Sequence, residues 1–322
     1  MGPAVLPYVH AIDPIIGTIA GVHLWWYGLS YSAGFLNAHR SIRRSAPALG
    51  FSPTAVLDLS LLLAVGVLFG GRFVEVAFYE WPFYREHPSL IPAYWLGGMA
   101  THGLLFGGLL GIWLFSRLYR TPFLAVTDAL SVAAAIILAL GRIGNFIDGQ
   151  IVGSVTEVPW AVKFPDAEGF RHPVVLYDAL KNLLIVPVLL YVGRRNPPQG
   201  VKTGVFLFLY AFLRLFVDLY REYPTSLLGL ATGQALNIVL SVVGLALILI
   251  GWRVRSHSIA QASHFTGRTG WRRAVFTVLL LLSLAIPSDW TQDIPARYGK
   301  RHPGLEHSAL YPQIDTTPKK EN

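Results

Sequence analysis

Apolar residues run along this chain in long stretches, broken by short clusters of charge, and the stretches have the length a bilayer demands. A membrane-spanning helix needs roughly 20 mostly apolar residues. Stretches at about 15–36, 54–71, 96–115, 123–141, 174–193, 203–221 and 233–251 meet that requirement. A shorter one, 274–287, reads as an eighth span or as a re-entrant or interfacial segment. The pattern predicts an all-α, polytopic membrane protein of seven transmembrane helices with a candidate eighth. Residues 1–252 form the transmembrane domain; 253–322 hold a basic loop, the extra apolar run and a polar tail.

The connections alternate in charge, and that alternation orients the spans. Those at 37–53, 116–122, 194–202 and 252–273 carry Arg40, Arg43, Arg44, Arg117, Arg120, Arg194, Arg195, Lys202, Arg253, Arg255, Arg268, Arg272 and Arg273, with no acid among them. The intervening ones carry Glu75, Glu80, Glu86, Glu157, Asp166, Glu168 and Glu222. By the positive-inside rule the basic connections are cytoplasmic and the N-terminus faces outward. Most tryptophans, Trp25, Trp26, Trp81, Trp252, Trp271 and Trp290 among them, fall near span ends or in the outer connections, as interfacial anchors do.

Composition agrees. The chain is 53% hydrophobic and 14% charged, with a net charge of +8, whereas a soluble domain carries about 25% charged residues. Because the basic residues are dispersed between apolar runs, nucleic acid is not the partner they imply. Cysteine is absent, which removes thiolate metal sites and a cysteine nucleophile, so any thiol chemistry uses the thiol of a substrate. The tail, with Pro295, Gly299, Pro303, Gly304 and Pro312, reads as an extended polar segment without chemistry.

The informative residues are the polar ones that apolar runs tolerate at a cost. The stretch GRIGNFIDGQIVG at 141–153 sets Arg142, Asn145, Asp148 and Gln150 where the chain leaves its fourth span. Its glycines predict a broken helix, and irregular backbone at that depth must line a polar cavity or be buried in protein. In the sixth span Tyr210, Arg214, Asp218 and Arg221 follow at intervals of four, four and three, which share one helix face. They read as an internal ion-pair ladder or as an anion site, since the arginine fork suits phosphate. His102 sits among glycines in GGMATHGLLFGG. It reads as an interhelical hydrogen bond or as a proton-handling group. Tyr27, in WWYGLSY, also fits the aromatic belt.

At these residues the sequence resembles the bacterial prolipoprotein diacylglyceryl transferases, over about residues 13–251. GRIGNFIDGQIVG is the most specific part. WYGLSY at 26–31, GGR at 70–72, GGMATHG at 97–103, VPWAVKFP at 158–165, RHPVVLYDAL at 171–180, YAFLRLFVDLYRE at 210–222 and GQ at 233–234 follow the family's order. The resemblance implies an enzyme of the bacterial cytoplasmic membrane that moves a diacylglyceryl group from phosphatidylglycerol to the lipobox cysteine in the signal peptide of a prolipoprotein. A thioether forms and glycerol phosphate leaves. Phosphatidylglycerol, other membrane lipid and the prolipoprotein are the implied partners, and no cofactor or metal is called for.

Carried over by motif, Arg142 and Arg214 match the arginines thought to handle the headgroup, and His102 and Tyr210 match the candidates for proton handling. Tyr27, Asn145 and Gly153 match motif positions, and Asp218 stands where the family has Glu. Asp148, Gln150 and Arg221 complete the expected substrate-binding set. The chain departs from the family at Asp148-Gly149-Gln150, where Asn-Gly-Glu is usual, and at His102-Gly103-Leu104, where His-Gly-Gly is usual. These differences mark a divergent member. They leave a non-catalytic relative that binds lipid or lipoprotein as the alternative.

Overall fold

Each long apolar run forms a helix, and consecutive helices run antiparallel. The computed structural model describes residues 8–221, 232–254, 267–288 and 305–313. Glu222, Arg255, Trp290, Pro295, Gly299, Pro303 and Gly304 lie outside these described residues. The helices are α1 (Trp26–Leu49), α2 (Pro53–Val74), the short α3 (Trp81–Glu86), α4 (Thr101–Tyr119), α5 (Phe123–Ile147), α6 (Val174–Arg194), α7 (Val201–Asp218), α8 (Thr232–Val254) and α9 (Gly270–Ser283). Four are long and apolar enough, among the described residues, to cross a membrane: Pro53–Tyr79, Phe123–Ile147, Val174–Arg194 and Gln234–Val254. Phe69, Leu184, Val242 and Leu249 point outward from them. So broad an apolar surface is what lipid, not water, covers.

The first expected span is corrected. Residues 15–25 form a hairpin of β2 (Ile15–Ile19) and β3 (Val22–Trp25), and the helix begins only at Trp26. At the turn Ala20 and Gly21 have φ of 50° and 82°, the positive pair of a type I′ connection that matches strand twist. Arg40, Arg43 and Arg44 therefore lie on α1 itself. Two further strands, β1 (Tyr8–Val9) and β4 (Val162–Lys163), pair in parallel. The apolar bundle is helical throughout, with these four short strands at one end of it.

Small residues let the helices approach. A Cβ placed on Gly107 of α4 would lie 1.9 Å from the carbonyl oxygen of Gly66 in α2, and one on Gly70 2.3 Å from that of Gly103. Glycines four apart on both helices thus bring backbone against backbone. Dispersion between close helices drives association where lipid is as apolar as the helix surface. Gly204 of α7 and Gly244 of α8 make a similar seam. Behind them, Ile42, Leu59, Phe115 and Val126 join α1, α2, α4 and α5 in one cluster.

Arg72, from the GGR motif, organises the loop between α3 and α4. Its guanidinium donates to the carbonyls of Ile91 (2.7 Å), Leu90 (2.6 Å), Ala93, Gly98 (3.2 Å) and Gly97. Tyr84 and Tyr94 place their rings over it. Five carbonyls on one planar cation replace the water that this buried loop lacks.

The run at 274–287 becomes α9, whose 14 residues rise about 21 Å, less than the hydrocarbon thickness of ~30 Å. It lies antiparallel to α1. Arg272 pairs with Asp58 of α2 (2.5 Å), Ser32 donates to the Leu280 carbonyl (2.6 Å), and Trp25 N–H donates to that of Leu284 (2.9 Å).

A branched side chain at the α2–α4 seam has no room. Gly107→Val is expected to lower the thermal midpoint in detergent by several degrees or to prevent accumulation in the membrane. Gly141→Ala, where an added Cβ meets nothing within 4 Å, is expected to be tolerated.

Candidate active site

Because the helices alternate in direction, the polar residues gather at one end of the bundle. The first turns of α1 and α4 bring Tyr27 and His102 there. The last turns of α5 and α7 bring Arg142, Asn145, Arg214 and Asp218. The expected break within 141–153 falls after Ile147, and the segment 141–147 is still helical. Gly144 is a contact position, where a Cβ would lie 3.1 Å from the Cα of Tyr27. The chain turns only at Asp148-Gly149, with Gly149 at φ 69°. Beyond it, the irregular loop to Pro173 is pinned by backbone bonds such as Gly153 N–H to the His172 carbonyl (3.0 Å).

The centre of the site is a residue the sequence reading did not single out. Asp178, in the second turn of α6, accepts from Arg142 Nε (2.7 Å), Lys181 Nζ (2.8 Å) and a terminal nitrogen of Arg214. Its side chain is 1% exposed. Arg214 reaches back along α7 to Asp218 (3.0 Å), whose second oxygen accepts from Asn237 of α8 (3.2 Å). Arg142 also donates to the amide oxygen of Asn145 (3.4 Å). The Lys181 ammonium lies 4.0 Å from the centroid of the Tyr210 ring, a favourable cation–π distance. Four helices thus meet in one charge network of three cations and two carboxylates. The signal was there: Asp178 and Lys181 stand three apart in an apolar span, and intramembrane charge is rare unless paired or functional.

Other expected site residues lie outside this charge network. His102 is exposed at the start of α4, with Nδ1 3.1 Å from the hydroxyl of Tyr79. Arg221 lies past the end of α7 and leaves the face it was expected to share, since the helix stops at Asp218. Asp148 is 0% exposed, and one of its oxygens accepts the backbone N–H of Ser288 (3.3 Å). Gln150 donates its backbone N–H to the Asn145 carbonyl (2.9 Å). Gly153 is required by space, because a Cβ there would come 2.6 Å from the His172 carbonyl.

Beside the network, a cavity of about 580 Å³ opens between α6 and α7, under the loop before α6. Lys181 borders it, and its walls are mainly apolar and aromatic, with Trp160, Tyr177, Phe216 and Tyr220 among them. At its rim the Tyr177 hydroxyl accepts from Trp160 Nε1 (2.7 Å), leaving its own hydrogen for Nδ1 of His172 (3.1 Å). Burial pushes the His172 imidazole below its ordinary value.

Removing the shared carboxylate takes away the one anion that all three cations contact. Asp178→Asn is expected to destabilise the protein by about 3 kcal/mol, read as a lower thermal midpoint in detergent. Asp178→Glu is expected to restore most of it.

Comparison with known proteins places these residues in a family. The description "Prolipoprotein diacylglyceryl transferase" matches residues 14–250. A relative from Geobacter sulfurreducens is 38% identical over 248 residues, covering 74% of this chain and 95% of that protein. One from Chromohalobacter salexigens is 39% identical over 245 residues, covering 73% and 91%. One from Nitratidesulfovibrio vulgaris is 38% identical over 248 residues, covering 74% and 93%. All three are named phosphatidylglycerol–prolipoprotein diacylglyceryl transferase. With most of its length matched at this level, the chain belongs to the prolipoprotein diacylglyceryl transferase family.

Proposed function

We propose that the chain transfers a diacylglyceryl group from phosphatidylglycerol to the lipobox cysteine of a prolipoprotein. The observation that carries this reading is the convergence of Arg142, Arg214 and Lys181 on Asp178. In the reaction the cysteine sulfur bonds to the glyceryl carbon that carries the phosphate. The carbon–oxygen bond breaks, its electron pair leaves with the phosphate, and glycerol phosphate is released. Negative charge grows on that leaving oxygen, and cations already in place in a water-poor site lower the barrier. Arg142 is the most exposed of the three, at 18% against 9% for Arg214 and 6% for Lys181, and meets the phosphate first. With three cations facing two carboxylates, the network accommodates one more negative charge. The apolar cavity beside Lys181 takes acyl chain.

The attacking sulfur must lose its proton, since the thiolate is the nucleophile. His102 takes it, because imidazole is the side chain that ordinarily changes charge near neutrality, and the Tyr79 hydroxyl at Nδ1 orients the ring. Tyr210 steadies the Lys181 ammonium. Asn145 holds the outer nitrogen of Arg142, Asp218 holds Arg214, and Arg221 adds positive charge beyond α7. Tyr27 and Gly153 shape the floor around the turn that Asp148 anchors. Gln150 offers an uncharged amide to the glycerol hydroxyls, which need hydrogen bonds rather than a carboxylate.

All seven of α1, α2, α4, α5, α6, α7 and α8 cross the cytoplasmic membrane in this reading. The basic helix ends lie inside, the N-terminus and the site lie towards the outer face, and residues 1–252 supply every role assigned above.

The test is mass spectrometry of a lipobox peptide incubated with purified protein in phosphatidylglycerol vesicles. A diacylglyceryl mass gain on cysteine with release of glycerol phosphate is expected, and its absence beside a working relative sinks the reading in favour of a non-catalytic role. Arg142→Ala is expected to lose about 10²–10³ in turnover while staying folded. Arg214→Lys, which keeps charge but loses the fork, is expected to lose at least about tenfold.

A further inference from the structure

The family match ends at residue 250, yet later residues touch the motifs that define the site. We infer that residues 267–288 are a working part of the transferase site, with the Ser288 backbone N–H holding the Asp148 carboxylate and so fixing the turn behind Arg142 and Asn145. This rests on the function proposed above.

Asp148 ends α5, where a carboxylate meets the negative end of the helix dipole, and it is 0% exposed. A buried anion in that place needs donors, and Ser288 supplies one at 3.3 Å. Arg142 and Asn145 lie six and three residues upstream on the same helix, so the orientation of its last turns sets where the Arg142 guanidinium points.

The segment is held at the same end by two further contacts. A Cβ on Gly28 would lie 2.4 Å from the Leu284 carbonyl oxygen and 2.5 Å from that of Ser283. Trp25, which is 0% exposed, donates its backbone N–H to Leu284. These residues flank Tyr27, whose Cα in turn touches Gly144. A continuous line of contact thus runs from the end of α9 through Trp25–Gly28 to the signature helix, and closes on itself through Ser288 and Asp148.

Later still, Tyr311 stacks on His23 with ring centroids 4.4 Å apart, and its hydroxyl accepts the His23 backbone N–H (2.9 Å). Trp95 Nε1 donates to the Leu310 carbonyl (2.8 Å). The hairpin that leads into Tyr27 is therefore gripped on a second side.

The test uses the full chain. Ser288→Pro deletes the one N–H at issue, and Ser288→Ala keeps it. Turnover per folded molecule and hydrogen exchange of backbone amides at 144–153 are measured together. Ser288→Pro is expected to speed exchange across that segment. It is also expected to lower kcat about tenfold, the worth of a hydrogen bond to a charged group, with KM for phosphatidylglycerol little changed. Ser288→Ala is expected to match the parent in both. Unchanged exchange overturns the inference, and so does faster exchange with undiminished kcat, which would make the contact structural only. If Ser288→Pro does not accumulate, Ile286→Ala, which keeps that N–H but loosens the segment presenting it at a position 2% exposed, is expected to speed exchange at 144–153 and lower kcat to a smaller extent, and unchanged exchange overturns the inference. A parent protein that transfers nothing sinks the proposed function, while the exchange result still reports whether Ser288 holds the turn.

Discussion

One buried carboxylate organises the functional end of this molecule. Arg142, Lys181 and Arg214 come from three helices, and like charges at such depth repel unless an anion is shared among them. Asp178 is that anion. Burying charge costs several kcal/mol per ion even after relaxation, so the network exists only because its members satisfy one another: Asn145 on Arg142, Asp218 on Arg214, Asn237 on Asp218, the Tyr210 ring under Lys181. In the proposed reaction the same arrangement holds the cations aimed before the phosphate arrives, as electrostatic catalysis requires.

The rest of the fold serves that end. Glycine seams let α2 meet α4, and α7 meet α8, backbone to backbone. Charged side chains can then be confined to the ends, where loops and the short strands enclose them. Arg72 has a role unlike the other motif arginines: its guanidinium donates to five carbonyls of one loop. It ties that loop down beside His102 and does not belong to the anion site. A motif arginine is not by itself a substrate arginine; its partners decide.

The helical membrane architecture was legible because hydrophobic run length is a direct readout of bilayer thickness. The reading of Tyr210, Arg214 and Asp218 as one helix face was legible from their spacing, and the Arg214–Asp218 ion pair is two of those residues in contact. It failed at Arg221, because nothing in the spacing says where a helix stops. It failed at 15–25 too, where apolar content alone cannot separate a strand from a helix, and the turn at Ala20-Gly21 is the signal that does. The glycines of 141–153 divide by position: Gly149, at φ 69°, turns the chain out of the helix, whereas Gly144 serves contact with Tyr27.

By itself, then, the sequence determined the helical membrane class of the protein, its family and several of the polar residues that gather at one end of the bundle. Those properties follow from run length, local spacing and contiguous motifs, which are all short-range. Only the tertiary structure decided that Asp178 joins Arg142, Lys181 and Arg214, that His102 meets Tyr79, and that Ser288 reaches Asp148 from 140 residues away. Such partners are set by which helices lie side by side, and that depends on packing across the whole bundle rather than on any stretch of chain.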